Sequence, residues 1–345
     1  MIEIDGGHGE GGGQLVRNAA AMSAVTGKPV RVTNIRARRP NPGLAAQHVA
    51  ALRALAAIAN AEIEGLQPGS RQIVVRPGTI SGGTHRFDVG TAGSVTLVLQ
   101  ACLPPALLAP APTELHLTGG TDVKWSPPLD YFRFVFLPLL ERMGGHVEIE
   151  VLKRGYYPRG GGEIRVKVTP TAGFRPLAVE PPGALRRIRG TAHAANLPED
   201  VARRMKQSAA RRFVAIAEAK IEDRTFGPNE AVGPGGALVL WTEHENTVLG
   251  ASALAEKGTP AEKVGEEAAE ELVSDLKAHA SLDVYASDQV LIYGALAKDE
   301  STFSAREVTG HALTTMWLLE AFSAVKFETV QVGGRVQFRV MPRAD

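Results

Sequence analysis

The chain has 345 residues, of which 44% are hydrophobic and 22% are charged, a balance that excludes a disordered or fibrous protein. Its formal net charge of +1 provides no overall field for a polyanion, so any nucleic-acid binding must rest on local clusters of charge. The single cysteine, Cys102, excludes an internal disulfide and fits a reducing compartment, from which we predict a cytoplasmic protein.

Neither a membrane span nor a secretory signal is predicted. The most apolar stretch, residues 94–112, is interrupted by Gln100 and by four prolines. The first ten residues lack the basic and then apolar regions of a signal peptide. Because the chain is longer than one core usually holds, we expect two domains or a repetitive domain with an insertion.

The order of predicted elements repeats along the chain. Residues 1–80 predict a strand, a helix, a strand, a helix and two short strands. The same βαβαββ order follows in residues 85–169, and a third copy is predicted from a strand "LDVY" at 282–285 to a strand at 335–341. We therefore predict an α/β (α+β) fold with a large domain of about three such units, formed by residues 1–182 and 280–345.

Residues 183–279 do not follow this order and predict a smaller inserted α/β domain. Its helix "PEDVARRMKQSAARRFVAIA" carries many basic side chains that are either solvated or in contact with a polyanion. A solvated face is the simpler interpretation.

The stretch "DGGHGEGGGQLVRNA" at 5–19 places six glycines between a strand and a helix. Glycines let backbone N–H groups approach an anion, and a helix start favours negative charge, so this turn could hold phosphate or be merely tight. Glu10 lies within the glycines, where a carboxylate could hold magnesium, and Arg17 follows on the helix. A solvated ion pair is the alternative for these two residues.

A second stretch, "NIRARRPNPGLAAQH" at 34–48, concentrates positive charge before a turn. Arg36, Arg38 and Arg39 repel one another unless they are solvated or share an anion, and guanidinium groups suit phosphate oxygens. His48 opens the following helix, where it either packs in the core or contacts a substrate.

Polar residues in other apolar helices complete the candidate set. Gln100 lies among apolar neighbours, where a buried amide needs partners. Asp288 and Gln289 begin a predicted helix, which Asp288 could simply cap. His311 stands at the start of the apolar helix "TGHALTTMWLLEAF", where a surface or capping role is the alternative to chemistry.

In their order and spacing these motifs closely resemble RNA 3'-terminal phosphate cyclases over nearly the whole chain. The matching stretches are "DGGHGEGGGQLVRNA", "IRARRPNPGLAAQH", "GTAGSVTLVLQ", "GGTDVKWSPP", "YYPRGGGE", "ASDQ" and "TGHALTT". The resemblance implies modules of two helices on a four-stranded sheet, with a small inserted domain. It also implies an enzyme that uses ATP and Mg²⁺ or Mn²⁺ to convert an RNA 3'-phosphate end into a 2',3'-cyclic phosphodiester, releasing AMP and pyrophosphate.

The resemblance further implies a role for each candidate residue. His311 matches the histidine that is adenylylated before AMP passes to the RNA 3'-phosphate, and Glu10 becomes a candidate metal ligand. The remaining residues would contact the phosphates or line the nucleotide pocket: Arg17, Arg36, Arg39, His48, Gln100, Asp288 and Gln289.

Two other classes of protein remain possible on the sequence. A non-catalytic relative acting as a binding protein in ribosome assembly would lack the histidine, whereas this chain has His311 in the matching place. Enolpyruvyl transferases share a related repeated architecture and would not need His311. The sequence does not determine whether the chain forms a homodimer.

Overall fold

A computed structural model describes residues 1–342. They form a mixed α/β fold with four sheets, which confirms the predicted fold class. No helix among these residues is long and apolar enough to cross a membrane.

The first repeat has the predicted order of elements. Its sheet has the strand order β1-β2-β4-β3, with β1 parallel to β2 and the other pairs antiparallel. The elements are β1 (Ile2–Asp5), α1 (Gly13–Thr26), β2 (Val30–Thr33), α2 (Ala46–Ala59), β3 (Glu62–Glu64) and β4 (Ile73–Arg76).

The second repeat has the same topology with one additional strand. Its sheet has the order β11-β7-β8-β6-β5, because a two-residue strand of the inserted region, β11 (Ala231–Val232), pairs with β7. The predicted helix at 128–143 contains a π-helical stretch, Phe132–Phe136, between two short α-helices. The elements are β5 (Gly83–Asp88), α3 (Val95–Leu107), β6 (Thr113–Gly119), α4 (Leu129–Tyr131), α5 (Leu137–Arg142), β7 (His146–Gly155) and β8 (Gly162–Thr169).

The third repeat has a three-stranded sheet of order β14-β16-β15 rather than the expected four strands. The strand predicted at 282–285 is wrong, because Asp283 caps a helix there by accepting from the N–H groups of Tyr285 and Ala286. Ala178 instead forms a parallel bridge with Thr302, so a segment before the insertion takes the place of the first strand. The elements are α8 (Val284–Ala295), β14 (Ser301–Ala305), α9 (Gly310–Phe322), β15 (Val325–Val332) and β16 (Arg335–Pro342).

The inserted region has its own sheet, of order β10-β9-β12-β13, and its own hydrophobic core with two helices. The basic side chains of its first helix are largely paired: Arg204 with Glu262, Lys206 with Asp223 and Arg212 with Glu270. The division into domains at residues 182 and 279 remains a prediction. The elements are β9 (Leu185–Ala195), α6 (Asp200–Phe213), β10 (Ala219–Phe226), β11 (Ala231–Val232), β12 (Gly235–His244), β13 (Gly250–Leu254) and α7 (Ala261–Lys277).

One hydrophobic core runs through all three repeats and positions the polar loops. Helix α1 is buried from Leu15 to Ala24 and packs against α3 and α9, which belong to the second and third repeats. Since the glycine-rich loop leads into α1, this packing brings the loop against the start of α9.

Candidate active site

The glycine-rich loop meets the first turns of α9 because small residues allow a close approach. Gly9 has φ +55°, and a Cβ at this position would lie 2.2 Å from Thr314 Oγ1. A Cβ at Gly310 would lie 2.9 Å from Glu10 Cγ. The Glu10 N–H donates to Thr314 Oγ1 at 3.3 Å, so the loop and the helix are in direct contact.

His311 lies where these two segments meet. Its Nδ1 is 3.1 Å from Glu10 Oε2, and 45% of its side chain is exposed. Burial lowers the pKa of His311, Glu10 opposes this effect, and the nearby charges of Arg17 and Arg39 lower the pKa further. The lowered pKa favours the neutral imidazole, which keeps a lone pair for attack.

Arg17 is a buried cation that forms no ion pair within residues 1–342. Its exposed fraction is 5%, and its Nε has no hydrogen-bond partner among residues 1–342. Burial lowers the pKa of Arg17 to about 10, with no carboxylate acting against it. A guanidinium held in this way is unfavourable unless an anion binds beside it.

Two further arginines contribute positive charge from the turn that follows β2. Arg39 Nη2 lies 3.5 Å from Glu10 Oε2 and donates to the Glu10 carbonyl at 3.3 Å. Arg36 has φ +53° and donates from Nη1 to the Gly43 carbonyl at 2.8 Å. Burial, and then the charge of Arg39, lowers the pKa of Arg36.

His48 is buried at the start of α2 with a defined tautomer. Its Nδ1 accepts from the Ala45 N–H at 3.0 Å, which leaves the proton on Nε2. Burial, together with Arg17 and Arg36, lowers the pKa of His48 to about 3, so this ring stays neutral. A Cβ at Gly13 would lie 2.0 Å from Nε2, which places this donor against the start of α1.

Asp288 supports the helix that carries His311 rather than capping its own helix. Thr309 Oγ1 donates to Asp288 Oδ1 at 2.7 Å and accepts from the Ala312 N–H at 2.9 Å as the cap of α9. Burial raises the pKa of Asp288 to about 7. The capping alternative for Asp288 is wrong, because Asp283 has that role in α8.

Gln100 and Gln289 bind each other. Gln100 Nε2 donates to Gln289 Oε1 at 2.9 Å, and Gln289 Nε2 donates to the Tyr285 carbonyl at 3.0 Å. This pair explains a polar side chain in the apolar helix α3. Within residues 1–342 no hydrogen bond joins the pair to His311, so a ligand would have to connect them.

The structure adds residues that sequence reasoning did not select. The cap Thr309 had a sequence signal, because threonine before an apolar helix is a common cap. Thr314 and the stacking of His8 on Trp317, with ring centroids 3.8 Å apart, had none, because they depend on contacts between distant segments.

A metal site formed by protein groups alone is not found. Among residues 1–342 there is no group of three or more His, Cys, Asp or Glu side chains that could hold a metal ion. Glu10 instead faces His311 and Arg39. Mg²⁺ often binds through one carboxylate together with substrate phosphates, and Glu10 fits that mode.

These contacts define a class of site in which an imidazole contacts a carboxylate and lies near the charges of two arginines, Arg17 and Arg39. Such a site can bind a phosphate anion and place a nucleophile beside it.

Comparison with known proteins identifies the family. A model described as "RTC: RNA 3'-terminal phosphate cyclase" matches residues 8–329. Proteins of the same description are similar over almost their full length: from Nitrosospira multiformis with 48% identity (99% of this chain, 97% of the relative), and from Pyrococcus furiosus with 43% identity (100% of both). A relative from Methanopyrus kandleri has 47% identity and covers 95% of each chain. The chain belongs to the RNA 3'-terminal phosphate cyclase family, which confirms the resemblance and the classification as an enzyme.

Proposed function

We propose that this protein uses ATP to convert an RNA 3'-terminal phosphate into a 2',3'-cyclic phosphodiester, with His311 as the AMP acceptor. The observation that chiefly supports this proposal is the position of His311, whose Nδ1 faces Glu10 and whose pKa is lowered by the charge of the buried Arg17. The site offers a candidate nucleophile and a buried cation that is available to a phosphate anion, as nucleotidyl transfer requires.

The orientation of His311 indicates which nitrogen attacks. Because Nδ1 faces the Glu10 carboxylate, it carries the proton, and the lone pair is on Nε2. Nε2 would attack the α-phosphorus of ATP, forming the P–N bond while the bond to the β-phosphate oxygen breaks and pyrophosphate leaves. Glu10 then stabilises the resulting imidazolium.

Two further transfers complete the reaction. An oxygen of the RNA 3'-phosphate attacks the phosphorus of histidine-AMP, giving RNA(3')pp(5')A and restoring His311. The neighbouring 2'-OH then attacks the 3'-phosphorus, closing the ring and releasing AMP. Arg17, Arg36 and Arg39 would neutralise the charge on the phosphates during these steps.

Other proposed roles surround these residues. His48 would donate from Nε2 to a phosphate oxygen, and Gln100, Asp288 and Gln289 would border the nucleotide. Glu10 would hold Mg²⁺ or Mn²⁺, which would supply further neutralisation of phosphate charge.

The test is to incubate the protein with ATP labelled at the α-phosphate and with magnesium, and then to denature it. We expect acid-labile label on the native protein, none on His311→Asn, and normal label on His146→Asn, a control at an exposed histidine. With a 3'-phosphorylated RNA we expect a phosphatase-resistant cyclic end. Absence of label with either metal would contradict the proposal and favour a binding protein.

A further inference from the structure

Three loops that the proposed chemistry does not use are in contact with one another. Asp122 of the loop after β6 forms a bridge with Tyr156 of the loop after β7. In that second loop a Cβ at Gly160 would lie 2.5 Å from the carbonyl oxygen of Thr91 in the loop after β5.

The same loops are continuous with the candidate active site. A Cβ at Gly93 would lie 2.8 Å from Gln47 Cβ, and Gln47 directly precedes His48. A polymer bound with one end at His311 therefore has a protein surface beside it that leads towards the loop after β7.

A pocket of about 520 Å³ at this loop is lined by charged side chains of one sign, all of them positive. Lys153 and Arg159 line it together with Asn196, Pro228 and residues 231–234, and no carboxylate is among the lining residues. Neither cation forms an ion pair with another part of residues 1–342, although many arginines of this chain are paired. In a protein with a net charge of +1, two free cations facing one pocket favour an anionic ligand.

Two aromatic side chains on these contacting loops are exposed to solvent. Tyr157, two residues before Arg159, is 77% exposed. Trp125, on the loop whose Asp122 bridges to Tyr156, is 94% exposed and has φ +61°, a conformation that is unfavourable for a bulky residue. Exposed rings next to free cations are the combination with which proteins bind single-stranded nucleic acid, by stacking on bases and neutralising phosphates.

We propose that Lys153, Tyr157, Arg159 and Trp125 form a surface for the single-stranded RNA that precedes the terminal 3'-phosphate, with the cations on its backbone and the rings on its bases. This inference rests on the proposed function, because the RNA end must lie at His311. The surface contacts no reacting atom, so it governs the affinity for the polymer.

The test compares a 3'-phosphorylated RNA of about ten nucleotides, within the range covered by such surfaces, with a nucleoside 3'-phosphate that is too short to reach the loops. The variants are Tyr157→Ala and the double variant Lys153→Ala/Arg159→Ala. The control is Lys298→Ala/Lys326→Ala, which removes the same charge from two exposed lysines of the third repeat.

We expect Tyr157→Ala to raise the Kd and KM for the long RNA by about 5-fold to 100-fold. In the double variant, the slope of log Kd against log salt should decrease by about 1.4, because each phosphate of a single strand that is no longer neutralised reduces it by ~0.7. KM for the nucleoside 3'-phosphate and labelling by ATP should be unchanged in all variants. The control should bind both substrates normally.

The outcomes of this experiment distinguish an error in the proposed RNA surface from an error in the proposed function. If the native protein cyclises RNA but the loop variants bind the long RNA normally, this inference is wrong and the proposed function stands. If the variants raise KM for the long RNA and for the nucleoside 3'-phosphate equally, the residues act on the active site and do not bind the preceding strand. If the native protein shows no labelling or cyclisation, the proposed function fails, and direct binding of the long RNA by anisotropy still decides whether the loops hold it.

Discussion

At the scale of single residues, the site is governed by burial of ionisable groups. Arg17 is a buried cation whose Nε has no hydrogen-bond partner in the described part of the chain, His48 is held neutral, and the Asp288 carboxyl keeps its proton until about pH 7. Each arrangement lowers the stability of the ligand-free protein or makes it depend on pH, which is common where a site is prepared for a ligand.

Replacing Arg17 should have opposite effects on the stability of the ligand-free protein and on the binding of ATP. We expect Arg17→Met to raise the free energy of unfolding without ligand by about 1–3 kcal/mol, because an unpartnered buried charge is removed. The increase in Tm that ATP produces should be lost. Thermal unfolding with and without ATP measures both effects, and Arg53→Met, at an exposed arginine of α2, should change neither. A destabilised Arg17→Met protein would show that Arg17 has a partner in solution.

Asp288 should make stability fall as the pH rises. The unfolded carboxyl ionises near pH 3.8, whereas the folded one holds its proton up to about pH 7, so folding binds a proton between these values. The free energy of unfolding should therefore decrease by up to about 1.4 kcal/mol per pH unit in that window and level off above it. Asp288→Asn removes this contribution and keeps an acceptor for Thr309.

Denaturant titrations from pH 4 to pH 8 test this expectation. The stability of Asp288→Asn relative to the native protein should rise up to about pH 7 and then stay constant. Asp275→Asn is an internal comparison, since burial raises the pKa of Asp275 to about 8 and its plateau should begin later. A flat difference for Asp288→Asn would mean that the carboxyl is ionised in the folded protein.

At the scale of elements, the start of α9 orients the nucleophile. Thr309 caps the helix and also binds Asp288 of α8, so two helices fix the position of the residue two places further on. The glycines of the loop before α1 then bring Glu10 to that histidine.

Loss of this cap should slow the labelling of His311 by more than the small decrease in the free energy of unfolding would explain. We expect Thr309→Ala to lower the free energy of unfolding by about 1 kcal/mol and to slow labelling of His311, whereas Thr309→Ser should preserve both. Ser94→Ala removes the cap of α3, where Ser94 accepts from the Leu97 N–H. The Ser94→Ala variant should show a similar decrease in the free energy of unfolding, but His311 should be labelled at the normal rate. Equal labelling rates in the two alanine variants would contradict an orienting role for Thr309.

At the scale of the whole molecule, a buried network joins the inserted region to the second repeat. Arg154 donates to both oxygens of Asp130 at 2.8 and 2.7 Å and to Asp122 Oδ2 at 3.1 Å. His193 of β9 lies 3.6 Å from Asp122 and bonds through Nδ1 with the Tyr156 hydroxyl at 3.0 Å. Because these groups are buried, removing one partner leaves an uncompensated charge.

Asp130→Ala should therefore lower the free energy of unfolding by about 3–5 kcal/mol. Arg204→Ala breaks an exposed pair with Glu262 on the inserted region and should lower it far less, because solvent screens exposed ion pairs. Denaturant unfolding of both variants measures the contrast. Similar values would indicate that water reaches the Arg154 network.

The sequence by itself determined the local elements and the chemistry of the candidate residues. Hydrophobic periodicity indicated most helices and strands, and residue type indicated that Glu10, His311 and the arginines could serve phosphate chemistry, because these properties are local. The prediction of a strand at 282–285 was wrong because Asp283 caps a helix, and a segment about a hundred residues earlier instead forms a bridge from Ala178 to Thr302.

The tertiary structure decided which of these residues meet. Glu10 and His311 come together because α1 packs against α9, and the same packing buries Arg17, whose Nε has no hydrogen-bond partner among residues 1–342. The pairing of Gln100 with Gln289 and the role of Asp288 likewise depend on distant segments. Burial and long-range contact are properties of the folded chain as a whole, so no local pattern in the sequence contains them.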